Sequence, residues 1–270
     1  MKFTFTIPKI VSVTAFLLMI SCSTLAPKVT DADINAEAKK EYEKVKAQSR
    51  RSNNAAWTAM VQRVAQRIAV ASGEHFEWEV VLLENKEPNA WCMPGGKMAV
   101  YTGIMPILKT EGALAAVLGH EVAHATRRHG KEKLARGMQQ QMAGALLGLG
   151  AGVIASQFCQ TENCRTLTKL GGALGGLGIA FFNLKYDRGN ESEADEYGQV
   201  YMARAGYDPA ESIKLWERMG AAMGGKAPPE WMSTHPSDAN RRARLLALMP
   251  NAEAEYAHAP QRFGTGETIP

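Results

Sequence analysis

Apolar residues recur every three to four positions in several stretches of the chain and alternate in others. Trp57, Met60, Val61, Val64 and Ile68 keep helical spacing, and Gly73 ends that helix. Ahead of it, residues 23–55 are polar, with a charged helical stretch near Glu37–Arg50, which reads as a tether followed by a first helix. Glu77–Leu83 is rich in strand-forming residues and fits a strand. Asn89–Pro94 leads into a turn at Gly95-Gly96, and Lys97, Met98, Ala99, Val100, Tyr101 and Thr102 alternate as a second strand. Helical patterns follow over Glu111–Met138 and over Glu191–Ala205, which Gly206 closes. A further helix starts at Asp208-Pro209, with Asp208 as its cap and Pro209 in first position. Pro228-Pro229 marks a loop, and Ser237–Met249 forms a last helix. The tail from Asn251 lacks periodicity and is expected to be loose.

Two segments depart from this pattern. Gly137–Gly178 is rich in Gly, Ala and Leu and is broken at Gln157–Lys169 by polar residues. Its two apolar pieces fall short of the ~20 residues that a membrane span needs. They read as closely packed buried helices, with a mobile flap or a membrane-surface element as the alternative. The N-terminus reads as an address rather than as fold. Lys2 and Lys9 give a basic start, Ile10–Ile20 carries no charge, and Met19-Ile20-Ser21-Cys22 follows. This resembles the lipobox of bacterial lipoproteins, which implies a signal peptide over 1–21 and lipidation of Cys22. Ser23, in place of Asp, resembles an outer-membrane address.

Apolar residues make up 46% of the chain and charged residues 21%, which excludes wholesale disorder. The net charge of +4 is spread along the sequence, so nucleic acid is not an expected partner. Four cysteines in 270 residues are too few for a disulfide scaffold. In an oxidising compartment Cys159 and Cys164 can close a small loop, leaving Cys92 as a buried small hydrophobe. A zinc site on Cys159 and Cys164 is disfavoured because there is no second pair.

The chemistry centres on His120-Glu121-Val122-Ala123-His124. Four residues of helix turn by about 400°, so His120 and His124 lie about 40° apart on one face and can reach one metal. Glu121, about 100° from His120, is near enough to act as a general base on water. A third ligand must come from elsewhere. His129 is nine residues after His120, about half a turn out of phase on a continuous helix; a capping or packing role suffices for it. Glu191 and Asp195 share a helix face, and Glu193 points away from it. His235, in Thr234-His235-Pro236, is the other candidate.

Gly119-His120-Glu121-x-x-His124 followed by Arg188-x-x-Glu191-x-Glu193-Ala194-Asp195 resembles the CaaX-prenyl-protease/HtpX family of gluzincin zinc endopeptidases, and within it the soluble periplasmic BepA- and LoiP-like lipoprotein branch. Asn89–Lys97, Val100–Gly103 and Thr234-His235-Pro236 with Arg241 agree, over roughly residues 57–249. Asp187 stands where the family often has Ser. The resemblance implies an α+β fold, mostly helix around a small sheet, with the peptidase domain over 56–250. It implies one Zn2+ per chain held by His120, His124 and Glu191, with Asp195 orienting a ligand. It implies a substrate laid along an exposed sheet edge, assigned to Lys97–Thr102. His235 either stabilises an oxyanion or occupies the open metal position, and Arg241 anchors its loop to Asp195 or Glu193. The implied activity is cleavage of misfolded or misassembled envelope proteins. Prenyl-protein processing does not fit, since the membrane helices of that branch are missing. The alternative is a non-catalytic envelope chaperone using the same groove, which would leave Glu121 without a task.

Overall fold

The structure is a computed structural model that describes residues 30–134, 136, 186–223 and 241–270. Its elements begin with helix α1 (Asp31–Gln48) and helix α2 (Ala55–Ser72). The Asn54 side chain accepts from Trp57 N at 3.0 Å to start α2, and Gly73, at φ 72°, closes it in the left-handed conformation that glycine favours. Strands β1 (Glu79–Leu83), β2 (Ala90–Met93) and β3 (Lys97–Tyr101) follow, then a short helix α3 (Met105–Leu108) and helix α4 (Glu111–Thr126). Later in the chain come α5 (Arg188–Arg204), α6 (Ala210–Met223) and α7 (Arg241–Ala257). The described residues are thus mostly helical, with one small sheet among them.

The sheet order is β1-β3-β2. β3 runs parallel to β1 (Val80↔Met98) and antiparallel to β2 (Cys92↔Met98). Period-two alternation sends its side chains to two different cores. Leu82, Ala90, Met98 and Val100 join the main core with α2 and α4, while Val81, Leu83, Met93 and Ala99 pack under Ala38 and Tyr42 of α1.

This topology corrects the assignment of Lys97–Thr102 as the exposed edge. Residues Lys97–Tyr101 form the central strand, bonded on both sides, and Thr102 opens a 3-10 turn. A strand covered on both faces does not show which of its neighbours exist. Ala90–Met93, too short to stand out between Asn89 and the Pro94 turn, is the missing partner and forms an edge among the described residues. Lys97 tolerates burial because its ammonium bonds the Glu77 carbonyl oxygen and lies 3.8 Å from the Glu77 carboxylate.

The tail is a second correction. Helix α7 continues through Pro250 to Ala257, although the proline removes one ladder donor. Tertiary contacts hold it: Arg204 of α5 binds Glu255 through two bonds of 2.9 and 2.6 Å, and Ala252 is buried. The chain then straps the start of α4. Glu111 N and Gly112 N donate to Glu267 O and Thr265 O, and Ile269 N donates to Lys109 O. These carbonyls satisfy donors that a helix N-terminus leaves without intrahelical partners. No helix among the described residues is long and apolar enough to cross a membrane.

Candidate metal centre

Helix α4 is apolar on nearly every side, and all of its residues from Glu111 to Thr126 are buried. Thr110 caps it by accepting from Ala113 N at 3.1 Å. The pattern Glu111–Met138 overran the end of this helix: α4 stops at Thr126, and helix resumes over residues 129–134. Helix α5 begins where Asp187 accepts from Asn190 N at 2.9 Å, so the Asp at this position serves as an N-cap. Its Glu191 and Asp195, one turn apart, face α4.

Glycines set the approach of the two helices. A Cβ on Gly119 would lie 2.6 Å from Gly198 O, and one on Gly198 would lie 2.7 Å from His120 N. The backbones therefore meet where side chains would hold them apart, and this brings the carboxylates of α5 to the imidazoles of α4.

His120 Nε2 lies 3.1 Å from His124 Nε2 and 3.4 Å from Glu191 Oε2, and His124 Nε2 lies 3.5 Å from Glu191 Oε1. Ligands about 2.05 Å from a tetrahedral zinc ion are separated by about 3.3 Å. The three residues, all buried, therefore fit zinc in spacing, and two imidazoles with one carboxylate fit it in donor chemistry.

Each histidine has its own outer partners. His120 Nδ1 lies 3.1 Å from Asp195 Oδ1. Arg241, 2% exposed, bonds that same Asp195 oxygen, donates to Glu191 Oε2 at 3.3 Å and stacks its guanidinium 3.5 Å above the Trp216 ring. Arg241 thus anchors to Asp195 and not to Glu193. Burial pushes His120 down, but its bonds to Asp195 and Glu191 outweigh this and raise it from 6.5 to about 9.

His124 Nδ1 lies 2.9 Å from His129 Nδ1, and His129 Nε2 lies 3.0 Å from Glu193 Oε2. Arg127 Nε donates to the other Glu193 oxygen at 2.6 Å. Burial raises Glu193, yet its bonds to His129 and Arg127 hold it below its ordinary value. His129 is outside the set of three, as expected, but it touches a ligand instead of only packing at a helix end. Helical geometry could not place it, because α4 ends before it and Arg128, at φ 61°, breaks the helix before a new helical stretch starts at His129.

Tyr186 stacks on the His124 ring with centroids 3.9 Å apart. Burial raises its hydroxyl, and the charges of Glu121 and Glu191 add to this. Burial raises the Cys92 thiol as well, again with Glu121 adding to it. The buried Glu121 carboxylate is thus near both residues and next to His120 in the helix. Cys92 of β2, His124 and Tyr186 line one small cavity, so the edge strand passes beside the centre. Tyr186 and His129 were the site neighbours that periodicity missed: one precedes a helix, and the other follows a turn that ends one. His235, Cys22, Cys159, Cys164 and Gly137–Gly178 lie outside the described residues.

A sequence profile described as peptidase family M48 matches residues 51–249. The mitochondrial metalloendopeptidase OMA1 of Schizosaccharomyces pombe is 36% identical over 201 residues, 73% of this chain and 55% of that protein. OMA1 of Arabidopsis thaliana is 35% identical over 66% of this chain and 33% of its own length. The beta-barrel assembly-enhancing protease of Yersinia pestis is 29% identical over 73% of this chain and 41% of its own. The chain therefore spans between a third and just over a half of these curated relatives.

Proposed function

We propose, since the chain belongs to peptidase family M48, that it acts as a zinc-dependent metalloendopeptidase. The observation that carries this reading is the set of His120, His124 and Glu191 donor atoms at 3.1–3.5 Å, with Glu121 buried next in sequence to His120. Zinc held by His120, His124 and Glu191 would supply Lewis acidity towards a water and the scissile carbonyl. Glu121 accepts the proton of the attacking water and returns it to the leaving amine nitrogen. Asp195 and Arg241 fix the His120 ring and compensate the charge behind Glu191. Tyr186 and Cys92 wall the site on the His124 side and limit water there. An extended substrate adds to the edge of β2, so that backbone bonds supply affinity and tolerate varied sequences.

The place of action is the bacterial envelope, with Cys22 as the lipid anchor, most simply in the outer membrane, and unfolded or misassembled envelope proteins as clients. The Met19–Cys22 signal and the likeness to beta-barrel assembly-enhancing proteases support this. Likeness to mitochondrial OMA1 proteins supports the peptidase chemistry and not the location. His235 acts on the same centre, as oxyanion donor or as a fourth ligand that closes it.

The test compares the purified protein with its Glu121→Gln and His235→Ala variants for zinc content and for cleavage of unfolded casein. The parent and Glu121→Gln are each expected to hold one zinc, with cleavage reduced about 100-fold or more in the variant. Zinc retained without cleavage in the parent, and none on His235→Ala, would favour the chaperone reading. Faster cleavage by His235→Ala assigns that residue to closure, slower cleavage to the oxyanion, and no change removes it from the site.

A further inference from the structure

We infer that His129 and Glu193 are positioning residues for the metal site, a two-member relay that presents His124 Nε2 to the ion. This rests on the metal-centre reading above. His124 turns Nε2 towards His120 and Glu191, so that nitrogen must offer its lone pair and Nδ1 must carry the proton. A buried N–H needs an acceptor, and His129 Nδ1 is that acceptor at 2.9 Å. Accepting there puts the His129 proton on Nε2, where Glu193 Oε2 receives it at 3.0 Å. Arg127, at 2.6 Å from the second Glu193 oxygen, holds the carboxylate in place. Each group leaves only one arrangement of protons for the next, and the last in the chain is an anion.

The backbone is shaped for this contact. A left-handed conformation is uncommon for a non-glycine residue, and Arg128 adopts it at φ 61° directly before His129. Its guanidinium is held by Asp31 at 3.0 Å, by Glu74 at 3.1 Å and by the Thr126 carbonyl oxygen. With this break in the helix, the His129 ring lies 5.0 Å from the His124 ring, centroid to centroid, at 1% exposure for the residue. Outer partners of metal-bound histidines fix tautomer and ring orientation, and losing one lowers metal affinity by about 10- to 100-fold.

The experiment measures zinc affinity by competition with a chromophoric chelator, and the visible spectrum of the cobalt(II)-loaded protein. The chains compared are the parent, His124→Ala, His129→Leu, His129→Asn and Glu193→Ala, with melting of each metal-free chain as the control for folding. His124→Ala is expected to abolish tight binding. His129→Leu is expected to weaken it about 10- to 100-fold and to shift the cobalt bands, with Glu193→Ala weaker in the same direction. His129→Asn keeps an acceptor towards His124 and is expected to recover most of the affinity. If His129→Leu and Glu193→Ala bind zinc like the parent while His124→Ala does not, the relay is refuted and the metal centre stands. If His129→Asn is as weak as His129→Leu with the metal-free melting unchanged, the hydrogen-bond relay is refuted as well. A parent that binds no zinc overturns the metal centre itself.

Discussion

The two imidazoles of the metal centre sit one turn apart on the same helix, yet they are supported by unlike surroundings. Behind His120 stands a carboxylate in direct contact, Asp195, itself bound by a fully buried arginine that stacks on Trp216. Behind His124 stands another histidine, and only then a carboxylate, Glu193, whose arginine partner has a side chain 39% exposed. The first support is built from regular helices, α5 and α7. The second depends on a break in the helix at Arg128. The same chemical need, an acceptor for Nδ1–H, is met once by packing helices and once by a break between two helical stretches. The support behind His120 is buried and costly to disturb, whereas the support behind His124 opens to the surface at Arg127 and Glu193.

The largest effect is expected from removing the arginine on each side. Arg241→Leu leaves two buried carboxylates, Asp195 and Glu191, with only the His120 imidazolium between them, and is expected to destabilise the metal-free protein by about 3 kcal/mol in urea unfolding. Arg127→Leu, at a solvent-screened pair, is expected to cost no more than about 1 kcal/mol. Equal losses would erase the distinction between the two supports.

A second effect concerns protons. In the metal-free protein His120 is raised from 6.5 to about 9 by Asp195 and Glu191 against its burial. The folded chain then keeps a proton that the unfolded chain releases. Its contribution to stability is complete below about pH 6.5 and is lost as pH rises through about 9. Zinc needs the deprotonated ring, so zinc uptake at pH 7.5 is expected to release a proton, seen as a binding heat that depends on the buffer. Asp195→Asn should reduce that release. Buffer-independent heats would remove the direct carboxylate from its assigned part.

The smallest effect tests the break itself. Asp31 is held below its ordinary value by bonds to Lys131 and Arg128. Its contribution is therefore present above the unfolded carboxyl value of 3.8 and fades as pH falls through the lower folded one. Asp31→Asn is expected to cost less than about 1 kcal/mol, as for exposed pairs. Its trace should be a modest loss of zinc affinity through His124, since Arg128 shapes the turn that carries His129. Unchanged affinity would mean that Glu74 and the Thr126 carbonyl suffice to hold Arg128.

Much of the centre was legible because its parts lie one helical turn apart. The His120–His124 pair and the Glu191–Asp195 face follow from helix geometry alone, whereas the caps at Asp187 and Thr110 emerged only with the structure. The sheet was less legible. Lys97–Tyr101 read as a strand, but whether it lay at an edge depended on Ala90–Met93, four residues long, joining it from the other side. The segment after Asn251 carries no pattern of its own, and contacts with Arg204 and with the start of α4 order it.

The sequence by itself determined the metal-binding residue types and their spacing on two helices. These are properties of neighbours along the chain, governed by a fixed rise and turn per residue. Only the tertiary structure decided that Glu191 meets the two histidines, that Arg241 chooses Asp195 over Glu193, that β3 is central and that His129 returns to His124. Each of these joins residues separated by a strand edge, a helix break or a long stretch of sequence, where burial and hydrogen-bond satisfaction across the whole fold select the partner.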